Sequence, residues 1–137
     1  MAYVQPWQVR YYEADQQGVV FNAWYLAWFD EAFTNYLRYK GLSISELVNH
    51  GIDFQLVHSE IDWISGVRLG DDVSIAVEPG RIGTTSFDVH YTVLRDDVAT
   101  CTAKIVYVSI SSDGAGKQPV PALLRKVLTQ AHADGSP

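Results

Sequence analysis

The chain has 137 residues, 47% of them hydrophobic and 19% charged, a usage that fits one folded domain with a buried core and excludes a low-complexity or disordered polypeptide. Ten Lys and Arg against sixteen Asp and Glu leave a net charge of −6, which argues against nonspecific binding to nucleic acid or anionic membranes; an anionic ligand has to meet a local basic patch. The single cysteine, Cys101, excludes an intrachain disulfide, the longest apolar run (residues 23–29) is far short of the ~20 residues of a membrane helix, and the N-terminus lacks the regions of a signal peptide, so a cytoplasmic location is expected.

Trp7, Val9 and Tyr11 alternate with Gln8 and Arg10, the two-residue period of a half-buried strand that ends near Tyr12. From Ala23 the period becomes helical and runs to Tyr39, with Asn22 as the expected N-cap, Lys40 in the last turn and Gly41 just beyond. Asp30, Glu31, Thr34, Asn35 and Arg38 give the second half of this helix a polar face. On the same arc the first half carries Ala23, Trp24 and Ala27, so that half is expected to be enclosed on all sides by protein or ligand.

A short helical piece follows at residues 43–49, and nearly everything to Ser111 then reads as strand. Phe87, Val89, Tyr91 and Val93 share one face, as do Val73, Ile75 and Val77, and Ile105 and Tyr107 continue the pattern. The breaks at residues 70–72, 79–83 and 95–97 are too short for crossover helices, so the sheet is expected to be antiparallel with sequential strands as neighbours. A last helix is expected from Pro121, with Leu124, Val127, Leu128 and Ala131 on one side, before a disordered tail at 134–137. The expected fold class is α+β, a single domain over residues 1–133 in which a curved antiparallel sheet wraps around one long central helix.

Taken singly, the polar residues ahead of the helix read blandly: Asp15 as a turn or capping residue, Gly18 as a turn glycine, Asn22 as a cap. Together, in QVRYYEADQQGVVFNAWYLAWFDEAFTNYLR (residues 8–38), they resemble the signature of the hotdog-fold acyl-CoA thioesterases of the 4-hydroxybenzoyl-CoA thioesterase type. That signature has an acid, two variable residues, Gly, then a polar residue and a Tyr at the helix start, matched here by Asp15, Gly18, Asn22 and Tyr25. DWISGVRLGDDV (62–73), RIGTTSFDVHYTV (81–93) and TAKIVYVSI (102–110) are similar to later strands of the family. Many members carry His where this chain has Asn22, and Asn where it has Trp24.

The resemblance implies hydrolysis of an acyl- or aroyl-CoA thioester to the free acid and CoA, with Asp15, Gly18 and Asn22 as the catalytic set. A thioester carbonyl under attack develops an oxyanion, and the unpaired N–H groups at a helix start, here around Asn22 and Ala23, are ready donors to it. Asp15 would attack the thioester or deprotonate a water, two routes that residue types do not separate. Gly18 would let the loop approach closely. Ala23, Trp24 and Tyr25 are the expected acyl-pocket residues, and Arg68, Arg81, Thr84 and Thr85 the expected contacts for pantetheine and phosphate. Arg125, Lys117 and Lys126 read as solvated surface charge. The family assembles as dimers or tetramers with active sites between subunits, which implies a homodimer or homotetramer here.

Competing chemistries find less support. His50, His58, His90 and His132 show no metal-ligand spacing and Cys101 has no partner, so no metal is expected and no cofactor beyond the CoA of the substrate; His58 reads as structural. No Gly-x-Ser-x-Gly elbow occurs. A hotdog dehydratase would want a His beside its acid. A thioesterase acting on acyl-carrier protein and a non-catalytic carrier of an apolar ligand stay open as alternatives.

Overall fold

The computed structural model describes residues 3–129; the expected tail at 134–137, the domain limit at 133 and Ala131 lie outside them. In chain order the elements are β1 (Tyr3–Gln8), a 3-10 turn (Tyr11–Glu13), α1 (Trp24–Tyr39), α2 (Ile44–Asn49), β2 (Ile52–Trp63), β3 (Asp72–Ile82), β4 (Ser86–Arg95), β5 (Val98–Ser111) and α3 (Ala122–Thr129). The strands form one antiparallel sheet in the order β1-β3-β4-β5-β2. Its inner face closes over α1, as the α+β reading anticipates.

The period-2 positions named above face inward. Val73, Ile75 and Val77 on β3, Phe87, Val89, Tyr91 and Val93 on β4, and Ile105 and Tyr107 on β5 are all buried against α1. Aromatic rings make most of the contact: Phe29 stacks on Tyr91 at 4.7 Å and Phe33 on Tyr107 at 5.3 Å between centroids. The two tyrosine hydroxyls satisfy each other at 2.7 Å in the core. Ser43 caps α2 by accepting the Glu46 N–H, and Leu124, Val127 and Leu128 of α3 cover one end of the core.

Three expectations are corrected. First, β1 stops at Gln8, because the alternating pattern runs into a turn at residues 11–13 whose Glu13 side chain is turned inward. Second, β2 and β3 are not neighbours. Residues 64–71 carry the chain past β5 and β4, and eight residues, which span up to ~26 Å when extended, suffice for three strand spacings of ~4.8 Å. β2 therefore becomes the far edge of the sheet, paired with β5 alone. Third, the first half of α1 is not enclosed by its own chain: Ala23, Leu26 and Ala27 are exposed. Exposed Leu56, Val57 and Trp63 lie along the β2 edge.

Candidate active site

Asp15 sits at the entry of a tight loop. Its N–H donates to Val19 O at 2.8 Å, and its Oδ1 accepts the N–H groups of Gln17 (2.8 Å) and Val19 (3.3 Å). One carboxylate oxygen therefore builds the turn, as the bland reading of Asp15 requires, while Oδ2 has no partner among the described residues. Gly18 takes φ +75°, a left-handed backbone that an L side chain adopts at a cost, and a Cβ there would meet nothing within 4 Å. A positive φ in the loop is what the reading of Gly18 as a turn glycine requires. Clearance is the issue at Gly66, where a Cβ would stand 2.7 Å from Val19 Cγ1.

The segment that crosses from β2 to β3 forms the opposite wall. Val20 N–H donates to Val67 O at 2.8 Å, Leu69 N–H to Gly18 O at 3.2 Å, and Val19 bridges to Arg68. Arg95 on β4 anchors the wall from behind by donating to Gly66 O at 2.7 Å, with Asp71 Oδ2 at 3.4 Å. Between loop and wall lies a cleft of about 440 Å³ lined by Asp15, Asn22, Tyr25, Phe21, Trp63 and Ser65, among others.

The helix start departs from the expected cap. The Ala23 backbone is already helical (φ −65°, ψ −25°), and no side chain caps α1. The carbonyls of Phe21 and Asn22 accept the N–H groups of Trp24 (3.0 Å) and Tyr25 (3.3 Å), so the turn begins before Asn22 could act as a cap. The N–H groups of Asn22 and Ala23 are left without a partner among the described residues, at the positive end of a sixteen-residue helix.

Of the expected acyl-pocket residues, Tyr25 lines the cleft and meets Trp63 edge-on at 6.0 Å, whereas Trp24 packs on Tyr12 at 5.2 Å outside it. Successive helical residues point about 100° apart, so only one of the pair can face the cleft. Ala23 is exposed and is not among the residues that line the cleft. Arg68 stands at the rim beside the Asp15 loop. Arg81, Thr84 and Thr85 are elsewhere. They surround the β3–β4 turn, and Thr85 O accepts the N–H of Ser109, which lies opposite Phe54 near the start of β2, while the cleft lies at the β2 end, at Trp63. One chain does not bring these two groups together.

Burial settles the protonation of two neighbours. It pushes the Tyr25 hydroxyl up to about 12, with Cys101 adding to the rise and Arg95 opposing it, so Tyr25 is a neutral O–H donor. The Cys101 thiol is also pushed up to about 12 by burial and then by Asp62, which leaves no thiolate to act as a nucleophile at neutral pH. Among the described residues no group of three His, Cys, Asp or Glu side chains is placed to hold a metal.

One residue behind the cleft escaped sequence reasoning. Glu13 is 2% exposed, and its carboxylate accepts from Arg10 N–H (2.8 Å), Trp7 Nε1–H (3.3 Å) and Trp28 Nε1–H (2.8 Å). Its carbonyl also accepts the Phe21 N–H at 2.9 Å, so one residue ties β1, the Asp15 loop and α1 together. The signal available was weak: an acid two positions before Asp15, in a chain whose Trp7 and Trp28 indoles, six and fifteen positions away, need acceptors when buried.

Comparison with known proteins bears on the fold and the family. A 1,4-dihydroxy-2-naphthoyl-CoA hydrolase of Nostoc punctiforme is 28% identical over 114 residues, 82% of this chain and 77% of that protein. The structure of a 1,4-dihydroxy-2-naphthoyl-CoA thioesterase from Synechocystis superposes with a TM-score of 0.83 at 21% identity, covering 93% of this chain and 96% of the other. A hypothetical protein of Aquifex aeolicus superposes at 0.87 with 22% identity, covering 92% and 98%. The expected hotdog architecture is therefore the observed one. The family described as the thioesterase superfamily matches residues 17–109, from the Asp15 loop through most of β5, and the chain belongs to that superfamily.

Proposed function

We propose that the protein hydrolyses an acyl or aroyl thioester of coenzyme A to the free acid and CoA, at the cleft between the Asp15 loop and the start of α1. The observation that carries this reading is that Asp15, with an unpartnered carboxylate oxygen, and Asn22, whose N–H is unpartnered beside that of Ala23 at the start of α1, line one cleft. The thioester oxygen accepts from those N–H groups as negative charge develops on it, and the helix dipole adds to their effect. Asp15 Oδ2 then either attacks the carbonyl carbon, expelling CoA thiolate and leaving a mixed anhydride that water cleaves, or takes a proton from the water that attacks. Tyr25, Phe21 and Trp63 offer aromatic surface to the acyl group, which favours an aroyl substrate of the kind named for the Nostoc and Synechocystis relatives. No step calls for a cofactor.

We further propose a homodimer, or a tetramer of two such dimers, built by antiparallel pairing of the β2 edges. The edge is twelve residues long with one side unpaired, and it is flanked by the open face of α1. Such pairing sets the β2 end of one chain against the β2 start of the other. The partner subunit's Thr84 and Thr85 then come within reach of a pantetheine arm whose carbonyl lies at Asp15, with Arg68 from the same chain at the rim. A cytoplasmic location fits the readings above; no helix among the described residues is long and apolar enough to cross a membrane.

The test is thiol release from a panel of acyl- and aroyl-CoA thioesters by the native protein and by Asp15→Asn. The expected loss in kcat is about a hundredfold or more. Equal rates, or release from no thioester, would put a carrier of an apolar ligand in its place.

A further inference from the structure

Tyr25 carries a hydroxyl that packing does not explain. The residue is 1% exposed, and its ring meets Trp28 at 5.0 Å, Phe29 at 6.4 Å and Trp63 at 6.0 Å between centroids, contacts that a phenylalanine would make equally well. Deeper in the core the Tyr91 and Tyr107 hydroxyls satisfy each other. The Tyr25 hydroxyl has no hydrogen-bond partner among the described residues, a costly state for a buried polar group unless a ligand supplies one.

This hydroxyl is unpaired without being sealed. Among the described residues Ser109 Oγ alone is both enclosed and without a partner. Tyr25 Oη therefore still borders open space, and the open space that Tyr25 lines is the Asp15 cleft. Its neighbours fix its place there. Besides burial itself, the groups that bear on its proton are Cys101 and Arg95. Both belong to the floor: Cys101 pairs with Trp63 across β5 and β2, and Arg95 donates to Gly66 O at 2.7 Å. Gly66 O is thus already taken as an acceptor. Asp15 is not among the groups that bear on the hydroxyl, so the cleft has two separate polar ends, Asp15 with the helix start at one and Tyr25 Oη at the other.

We propose that Tyr25 is a specificity-determining residue whose O–H donates to an oxygen carried by the acyl group itself, on the side remote from the thioester. The inference rests on the thioesterase reading and deepens it, because it requires an acyl group that bears a hydroxyl, keto or ether oxygen. With the thioester at Asp15 and Asn22, the acyl group runs past Phe21 and Trp63 to the floor. Burial keeps the phenol protonated through the neutral range, so it is a donor at every working pH. An acyl group with an oxygen at the floor completes the hydrogen bond. A bare hydrocarbon of the same shape strips water from the hydroxyl and returns nothing. Such a site rejects the analogue that lacks its acceptor more strongly than an apolar pocket rejects a missing methylene.

The experiment measures kcat/KM for benzoyl-CoA, its 2-, 3- and 4-hydroxy derivatives and hexanoyl-CoA, with the native protein and with Tyr25→Phe. The native protein should prefer one hydroxybenzoyl isomer over benzoyl-CoA by about tenfold or more, a ratio that depends on no variant's folding. In Tyr25→Phe that ratio should fall by about tenfold or more, through loss on the hydroxylated thioester. A purely structural tyrosine would lower all five together and leave the ratio unmoved. An unmoved ratio, a native protein that does not discriminate among the aroyl thioesters, or one that prefers hexanoyl-CoA to all of them would overturn the assignment. Release from none of the five, or equal rates in Asp15→Asn, would instead overturn the underlying thioesterase reading.

Discussion

At Glu13 three N–H donors converge on one buried carboxylate, and no cation pairs with it among the described residues. Burying such a group is costly unless its hydrogen bonds are made, and here they come from the backbone of Arg10 and from two indoles. Glu13→Gln keeps the volume but turns an amide NH₂ toward one N–H donor, so a bond is lost and a donor left facing a donor. A loss of about 1–3 kcal/mol in urea unfolding is expected. Because Phe21 N–H hangs on the Glu13 carbonyl, kcat for thiol release should fall more than KM rises. Intact stability with native kinetics would show that the clamp is ornamental. This clamp was hidden in the sequence because its partners, Trp7 and Trp28, lie on different elements. As a group of candidates, Asp15, Gly18, Asn22 and Tyr25 were legible because their spacing survives without knowledge of contacts, though Asn22 does not cap the helix as its type suggests.

Among the elements, α1 and the inner faces of β3, β4 and β5 follow directly from period: the 3.6-residue pattern and Gly41 fix the helix, and alternation fixes which side chains turn inward. Strand order does not follow from period. β2 alternates less cleanly than its neighbours and is exposed over most of its length, but its place beyond β5 depends on a connection whose length permits either a turn or a crossing. Arg81, Thr84 and Thr85 surround the β3–β4 turn, at the end of the sheet away from the cleft of the same chain. The edge position of β2 carries a prediction of its own. Val57 is 54% exposed in a bulge between Leu56 and His58, and Val57→Lys adds charge at the centre of the unpaired edge. Sedimentation should show the native protein as a dimer or larger and the variant shifted toward single chains, with thiol release lost in step. A native protein that sediments as one chain would refute the edge pairing.

For the whole molecule, the buried hydroxyls and thiol set an alkaline limit. Burial raises Tyr25, Tyr36 and Tyr107 from 10.0 to about 12 and Cys101 from 9.0 to about 12. The native state therefore holds these protons after the unfolded chain has released them. Their contribution is fully present below pH 9, declines as pH rises toward 12, and amounts to up to about 1.4 kcal/mol per pH unit for each group inside that window. Thermal unfolding followed from pH 8 to 11 should show a midpoint that is flat at first and then falls steeply. A midpoint that stays level to pH 11 would mean that these side chains are solvated in the native protein.

The placement of β2 also bears on how the chain is made. Its partner β5 begins thirty-five residues after β2 ends, so during synthesis β2 emerges from the ribosome with neither edge covered and waits for β5 to follow. A twelve-residue strand in that state is open to pairing with other nascent chains. His58, Glu60 and Asp62 recur at every second position along it, and this polar row guards the strand until β5 arrives, while leaving its inward face ready to close on the core.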